Sequence, residues 1–107
     1  MEVLNSKESI IQFVNSAKLS LLYISSNNCS VCHALLPKME EMLECYPEVQ
    51  CKKIEIDKLP EIAGQLSIFT VPVVIFYVQG KEIFRRGRFI SIEEVKQAID
   101  RYYNLLV

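Results

Sequence analysis

The run Leu19-Ser-Leu-Leu-Tyr-Ile24 is short and almost continuously apolar, and it is followed at once by Ser25-Ser-Asn-Asn28, a cluster of turn formers and helix caps. A strand with one wet face alternates apolar and polar side chains; one without that alternation is covered on both faces. The run therefore demands helices above and below a sheet. Val73 to Val78 makes the same demand later in the chain.

The intervening segments supply those helices. Asn5-Ser-Lys-Glu8 has capping-box spacing, and Ile10, Ile11, Phe13 and Val14 follow at helical intervals, which predicts a helix over residues 7–17. From Ser30 to Glu44, Val31, Leu35, Leu36, Met39, Met42 and Leu43 keep helical spacing around Pro37, where a kink is expected. Lys53-Ile-Glu-Ile-Asp57 alternates as a strand, Leu59 to Leu66 suits a short helix, and Gln79-Gly80 is a hairpin turn between Val73–Val78 and Lys81–Arg86. Ser91-Ile-Glu-Glu94 caps a last helix carrying Ile92, Val95, Ala98, Ile99, Tyr102 and Leu106 on one side. The order α-β-α-β-α-β-β-α predicts an α/β fold: a central mixed sheet with a parallel βαβ part and a C-terminal antiparallel hairpin, flanked by helices. With 107 residues and no linker or repeat, residues 1–107 are expected to form one domain.

Charge narrows the function. The net charge of −1 argues against nucleic acid as the partner, and the one basic knot, Arg85-Arg86 with Arg88, reads as a solvated strand end. Val71 to Val78 is too short to span a bilayer, and the first residues mix acid with apolar residues unlike a signal peptide, so a cytoplasmic protein without a membrane partner is expected. In a reducing compartment four cysteines point to catalysis, metal or simple burial rather than a disulfide framework.

Cys29-Ser-Val-Cys32-His33 is both a dithiol motif and a haem-attachment motif. Cys29 falls after the buried strand, at or just before the first turn of a helix. There the unpaired N–H groups and the helix dipole stabilise a thiolate, which makes Cys29 the expected nucleophile. Cys32, one turn further on, is placed to attack a mixed disulfide formed at Cys29. Haem fits poorly: Met39 and Met42 lie on the same helix as His33 and cannot reach the opposite face of a porphyrin. His33 reads as a partly exposed first-turn residue. A four-thiolate metal site using Cys45 and Cys51 fails on distance, since the helix carries Cys45 about 20 Å from Cys29 at about 1.5 Å per residue. Those two cysteines read as residues packing singly. Thr70-Val71-Pro72 precedes a strand, a position where proline is tolerated and where a cis peptide is placed deliberately.

Together the element order, Cys29-x-x-Cys32 at a helix start, Pro37 five residues on, Lys53 and Asp57 in the next strand, Val71-Pro72, and Gly80 with Gly87 resemble the thioredoxin family over most of the chain. The resemblance implies thiol–disulfide exchange in which Cys29 attacks and Cys32 resolves. It implies that the Thr70-Val71-Pro72 loop, with Pro72 cis and close to Cys29, binds the extended chain of a substrate. It also implies disulfide-containing protein substrates, a dithiol reductant, no prosthetic group or metal, and a monomer. The chain departs from the family where a tryptophan gives way to Asn28, where Gly-Pro gives way to Ser30-Val31, and where a buried aspartate gives way to Tyr23. Lys53 is kept. These departures imply slower exchange, and two other readings stay open on the residues alone: a binding or adaptor module without turnover, and a dimer holding a metal or iron–sulfur cluster through its Cys29/Cys32 pairs.

Overall fold

The computed structural model describes residues 1–107. Helix α1 spans Lys7–Ser16 and is capped by Ser6, whose Oγ accepts from the Ser9 N–H at 3.1 Å while Ser9 Oγ accepts from the Ser6 N–H at 3.2 Å. The capping box therefore sits one residue later than Asn5–Glu8, because the short Ser9 side chain reaches back where Glu8 does not. Strand β1 is Leu19–Ser25, helix α2 is Ser30–Leu43 and strand β2 is Gln50–Glu55. A 3₁₀ turn, Ile56–Lys58, leads to helix α3, Pro60–Gln65. Strands β3 (Val73–Val78) and β4 (Lys81–Gly87) and helix α4 (Ile92–Leu106) complete the chain.

Two boundaries differ from the sequence reading. Strand β2 begins three residues before Lys53, and Asp57 lies past its end in the 3₁₀ turn, exposed. Only Ile54 of this strand is fully buried, so its alternation carries little register information. Helix α3 starts at Pro60, whose fixed φ and missing N–H suit a first helical position.

The sheet order is β2-β1-β3-β4, with β1 parallel to β2, and with β3 antiparallel to both β1 and β4. This is the mixed, helix-flanked sheet expected. Alternation along the two buried strands splits the core. Leu19, Leu21, Tyr23, Val74 and Phe76 pack with Met39, Met42, Val95 and Ile99 from α2 and α4. Leu22, Ile24, Val73, Ile75 and Tyr77 pack with Ile10, Phe13, Val14 and Ile62 from α1 and α3. Each fully buried aliphatic or aromatic side chain contributes about 1.5–3 kcal/mol relative to leaving it in water.

The outer edge of β2 is covered by the N-terminal segment: Lys53 N–H donates to Glu2 O at 2.8 Å and Leu4 N–H to Lys53 O at 2.9 Å. At the hairpin, Gln79 and Gly80 have φ of 51° and 83°, the left-handed pair that a tight two-residue turn requires. A Cβ on Gly80 would lie 2.6 Å from Oδ1 of the exposed Asn15 side chain, which can swing aside, so the positive φ is what calls for glycine there. No helix is long and apolar enough to cross a membrane.

Candidate active site at the start of helix α2

Strand β1 ends at Ser25, and the turn that follows closes when Cys29 N–H donates to Ser26 O at 3.3 Å. Cys29 is the N-cap of α2, in extended conformation, and its Sγ accepts from the Cys32 N–H at 3.1 Å. A sulfur here occupies the place normally taken by a serine or aspartate oxygen, facing the unpaired donors of the first turn. Negative charge on Cys29 Sγ is favoured by that contact and by the helix dipole. Cys29 and Cys32 are joined in a disulfide, their Cα atoms 5.2 Å apart. The two sulfurs are unequal: Cys29 is partly exposed, whereas Cys32 is completely buried. Only Cys29 is open to a bulky partner.

Beneath the pair lies Tyr23, fully buried, whose hydroxyl donates to the Cys32 carbonyl at 2.5 Å. Burial pushes its ionisation up to about 12. It stands opposite Lys53 in the β1–β2 register, and the Lys53 ammonium is 3.8 Å from Glu55, both side chains being largely covered. Lys53 is therefore spoken for by a carboxylate on its own strand, a partner that the sequence reading missed.

Residues 28–31, Val71, Pro72, Arg88 and Phe89 enclose a cleft of about 320 Å³ that opens on Cys29. The Val71–Pro72 peptide bond is cis. Arg88 N–H donates to Pro72 O at 2.9 Å, which ties the end of β4 to the proline loop. Asn28, Ser30 and Val31 thus lie in the cleft wall with Val71 and Pro72. Thr70 is exposed and lines a neighbouring cleft of about 200 Å³ with Phe69 and Val71. Tyr23 and Lys53 stand behind the cleft.

Several side chains fall elsewhere. Cys51 is half-buried in β2 opposite Leu21, but Cys45 is exposed just beyond α2 and does not pack into the core. No group of three or more His, Cys, Asp or Glu side chains comes together. His33 is exposed, with Nε2 3.0 Å from Asn27 O, so it donates to the turn and does not face the sulfurs' buried side. The basic knot divides: Arg85 and Arg86, at the end of β4, are paired with Glu82 and Glu94, whereas Arg88, just past it, is exposed, has φ of 65° and lines the cleft.

The family model Thioredoxin matches residues 2–101. The chain belongs to the thioredoxin family. It is 39% identical over 105 residues to the thioredoxin-like protein YdfQ of Bacillus subtilis, covering 98% of this chain and 94% of that protein. It is 27% identical to a thioredoxin of Mycoplasmoides gallisepticum, covering 92% of this chain and 99% of that one. Thioredoxin of Plasmodium falciparum superposes with a TM-score of 0.85 over 95% of this chain at 19% identity, a likeness of fold. Thioredoxin of Fasciola hepatica superposes with a TM-score of 0.84 over 94% of this chain at 25% identity.

Proposed function

We propose that this protein is a dithiol–disulfide oxidoreductase that reduces disulfides in protein substrates, with Cys29 as the attacking sulfur and Cys32 as the resolving one. The observation that carries this assignment is the asymmetry of the pair: Cys29 caps the helix and is accessible, and Cys32 is sealed beneath it.

In the reduced protein, the Cys29 thiolate attacks one sulfur of a substrate disulfide. A mixed disulfide forms and the substrate's other sulfur leaves as a thiolate. Cys32 then gives its proton to the departed substrate thiolate and attacks Cys29 Sγ, releasing the second substrate thiolate and closing the Cys29–Cys32 disulfide. The substrate gains two electrons, and its two thiolates take up the two protons that the dithiol loses. With Tyr23 in place of a buried carboxylate, nothing beneath Cys32 accepts its proton, which slows this second step. A dithiol reductant restores the pair, and we place the protein in the cytoplasm, where such reductants are held.

No hydrogen bond engages the backbone of Thr70 or Val71, which leaves their N–H and C=O groups open to an extended substrate chain. We assign substrate binding to Thr70, Val71 and Pro72, with Asn28, Ser30 and Val31 forming the facing wall.

Insulin reduction with dithiothreitol tests the assignment. The protein accelerates precipitation of the insulin B chain, and Cys29→Ser abolishes the acceleration. A wild-type rate no greater than that of dithiothreitol alone overturns the reading in favour of a module that binds without turnover.

A further inference from the structure

The cleft beside Cys29 holds one charged residue, Arg88, and no acidic one. Its neighbours Arg85 and Arg86 each have a carboxylate, but Arg88 makes no ion pair and no side-chain hydrogen bond; its guanidinium lies 6.0 Å from the ring of Phe89. Arg88 is also held at φ of 65°, a conformation that costs a non-glycine residue about 1 kcal/mol or more. Phe89 is 91% exposed and offers its whole ring to a partner. An unpaired cation on a strained backbone and an open aromatic ring are thus adjacent at the rim of one cleft, and that cleft contains the accessible sulfur.

We propose that Arg88 and Phe89 are specificity residues that select substrate disulfides whose cysteine is flanked by an acidic side chain and an apolar one. This rests on the oxidoreductase reading and names the substrate class that the same site prefers. An extended segment with its cysteine at Cys29 passes between Val31, itself 59% exposed, and Phe89. Its apolar side chain lies on these two surfaces, and its carboxylate meets the unpaired guanidinium of Arg88. Charge complementarity favours this occupant, since a basic segment would place two cations in a cleft without an anion. Arg88 lines the cleft from a left-handed backbone whose N–H holds Pro72 O.

The test uses the full-length reduced protein and two disulfide-bonded peptides, identical except that glutamate or lysine flanks the cysteine beside a common leucine. Second-order rate constants are measured by stopped flow, and each variant is described by its glutamate-to-lysine ratio, so a change in overall activity cancels. Wild type reduces the glutamate peptide faster by about two- to fivefold, the range expected of a solvent-accessible ion pair. High salt shrinks that ratio. Arg88→Gln brings it to about one and Arg88→Glu inverts it. Arg88→Gly relieves the left-handed backbone, so it also brings the ratio to about one in a protein at least as stable as wild type. Phe89→Ala slows both peptides and keeps the ratio. A wild-type ratio near one, or a ratio that Arg88→Glu does not invert, overturns this proposal while the oxidoreductase reading stands. Failure to reduce either peptide overturns both.

Discussion

The hydroxyl of Tyr23 donates to the carbonyl of Cys32, so a buried phenol on β1 holds the first turn of α2 by a neutral hydrogen bond. Both groups are sealed from water, and the oxygen keeps only its helical interactions when the phenol is removed. Tyr23→Phe is expected to lower unfolding free energy by about 1 kcal/mol, the typical net worth of such a bond. Urea denaturation of the oxidised protein checks this, and an unchanged midpoint would mean that the bond contributes nothing.

Alkaline conditions should expose the same residue. Burial raises the ionisation of Tyr23 to about 12, and burial likewise raises that of Tyr77 and, with Asp100 adding to it, of Tyr46. The folded state therefore holds these phenolic protons more tightly than the unfolded chain does. Stability is fully present below the unfolded value of about 10 and is lost as pH rises through the folded value. Urea midpoints followed from about pH 9 to about pH 12 should fall, and the fall should be shallower in Tyr23→Phe. Parallel curves for the two proteins would contradict the account.

Arg85 acts as a strut for the loop that leads to the active site. Its Nε and Nη2 donate to the two oxygens of Glu82 at 2.9 and 2.7 Å, and its Nη1 donates to Leu66 O at 2.6 Å. Arg85→Ala should cost about 1 kcal/mol, discounted for its partial exposure. Arg85→Lys should recover only part of this, because an ammonium cannot serve the carboxylate fork and the carbonyl together. Faster amide exchange confined to residues 66–72 is the expected signature; uniform exchange changes across the sheet would argue against a local strut.

Much of this architecture was legible in the sequence because the two buried strands are apolar without interruption and the helices between them keep their period. The N-cap position of Cys29 followed from the turn residues ahead of it. Lys53 was read without its Glu55 partner, since a strand at the sheet edge buries too little to fix which side chains meet. Arg88 and Phe89 were missed for a related reason. A charged residue after a strand looks solvated in one dimension, and only the hydrogen bond from Arg88 N–H to Pro72 O brings that end of β4 over the cleft. Cys45 looked packable from composition but follows the last helical residue by two, where the surface begins.

The inequality of the two sulfurs is the centre of the account, and trapping of a mixed disulfide tests it most directly. Reduced Cys32→Ser protein, incubated with a disulfide-bonded protein substrate and quenched by alkylation, should accumulate a covalent adduct through Cys29, visible as a mass shift in the intact protein. With exposed Cys45 also replaced by serine, Cys29→Ser should accumulate none, because buried Cys32 cannot reach a substrate sulfur. Adduct formation through Cys32 in the Cys29→Ser variant, or none in Cys32→Ser, would contradict the assignment of roles.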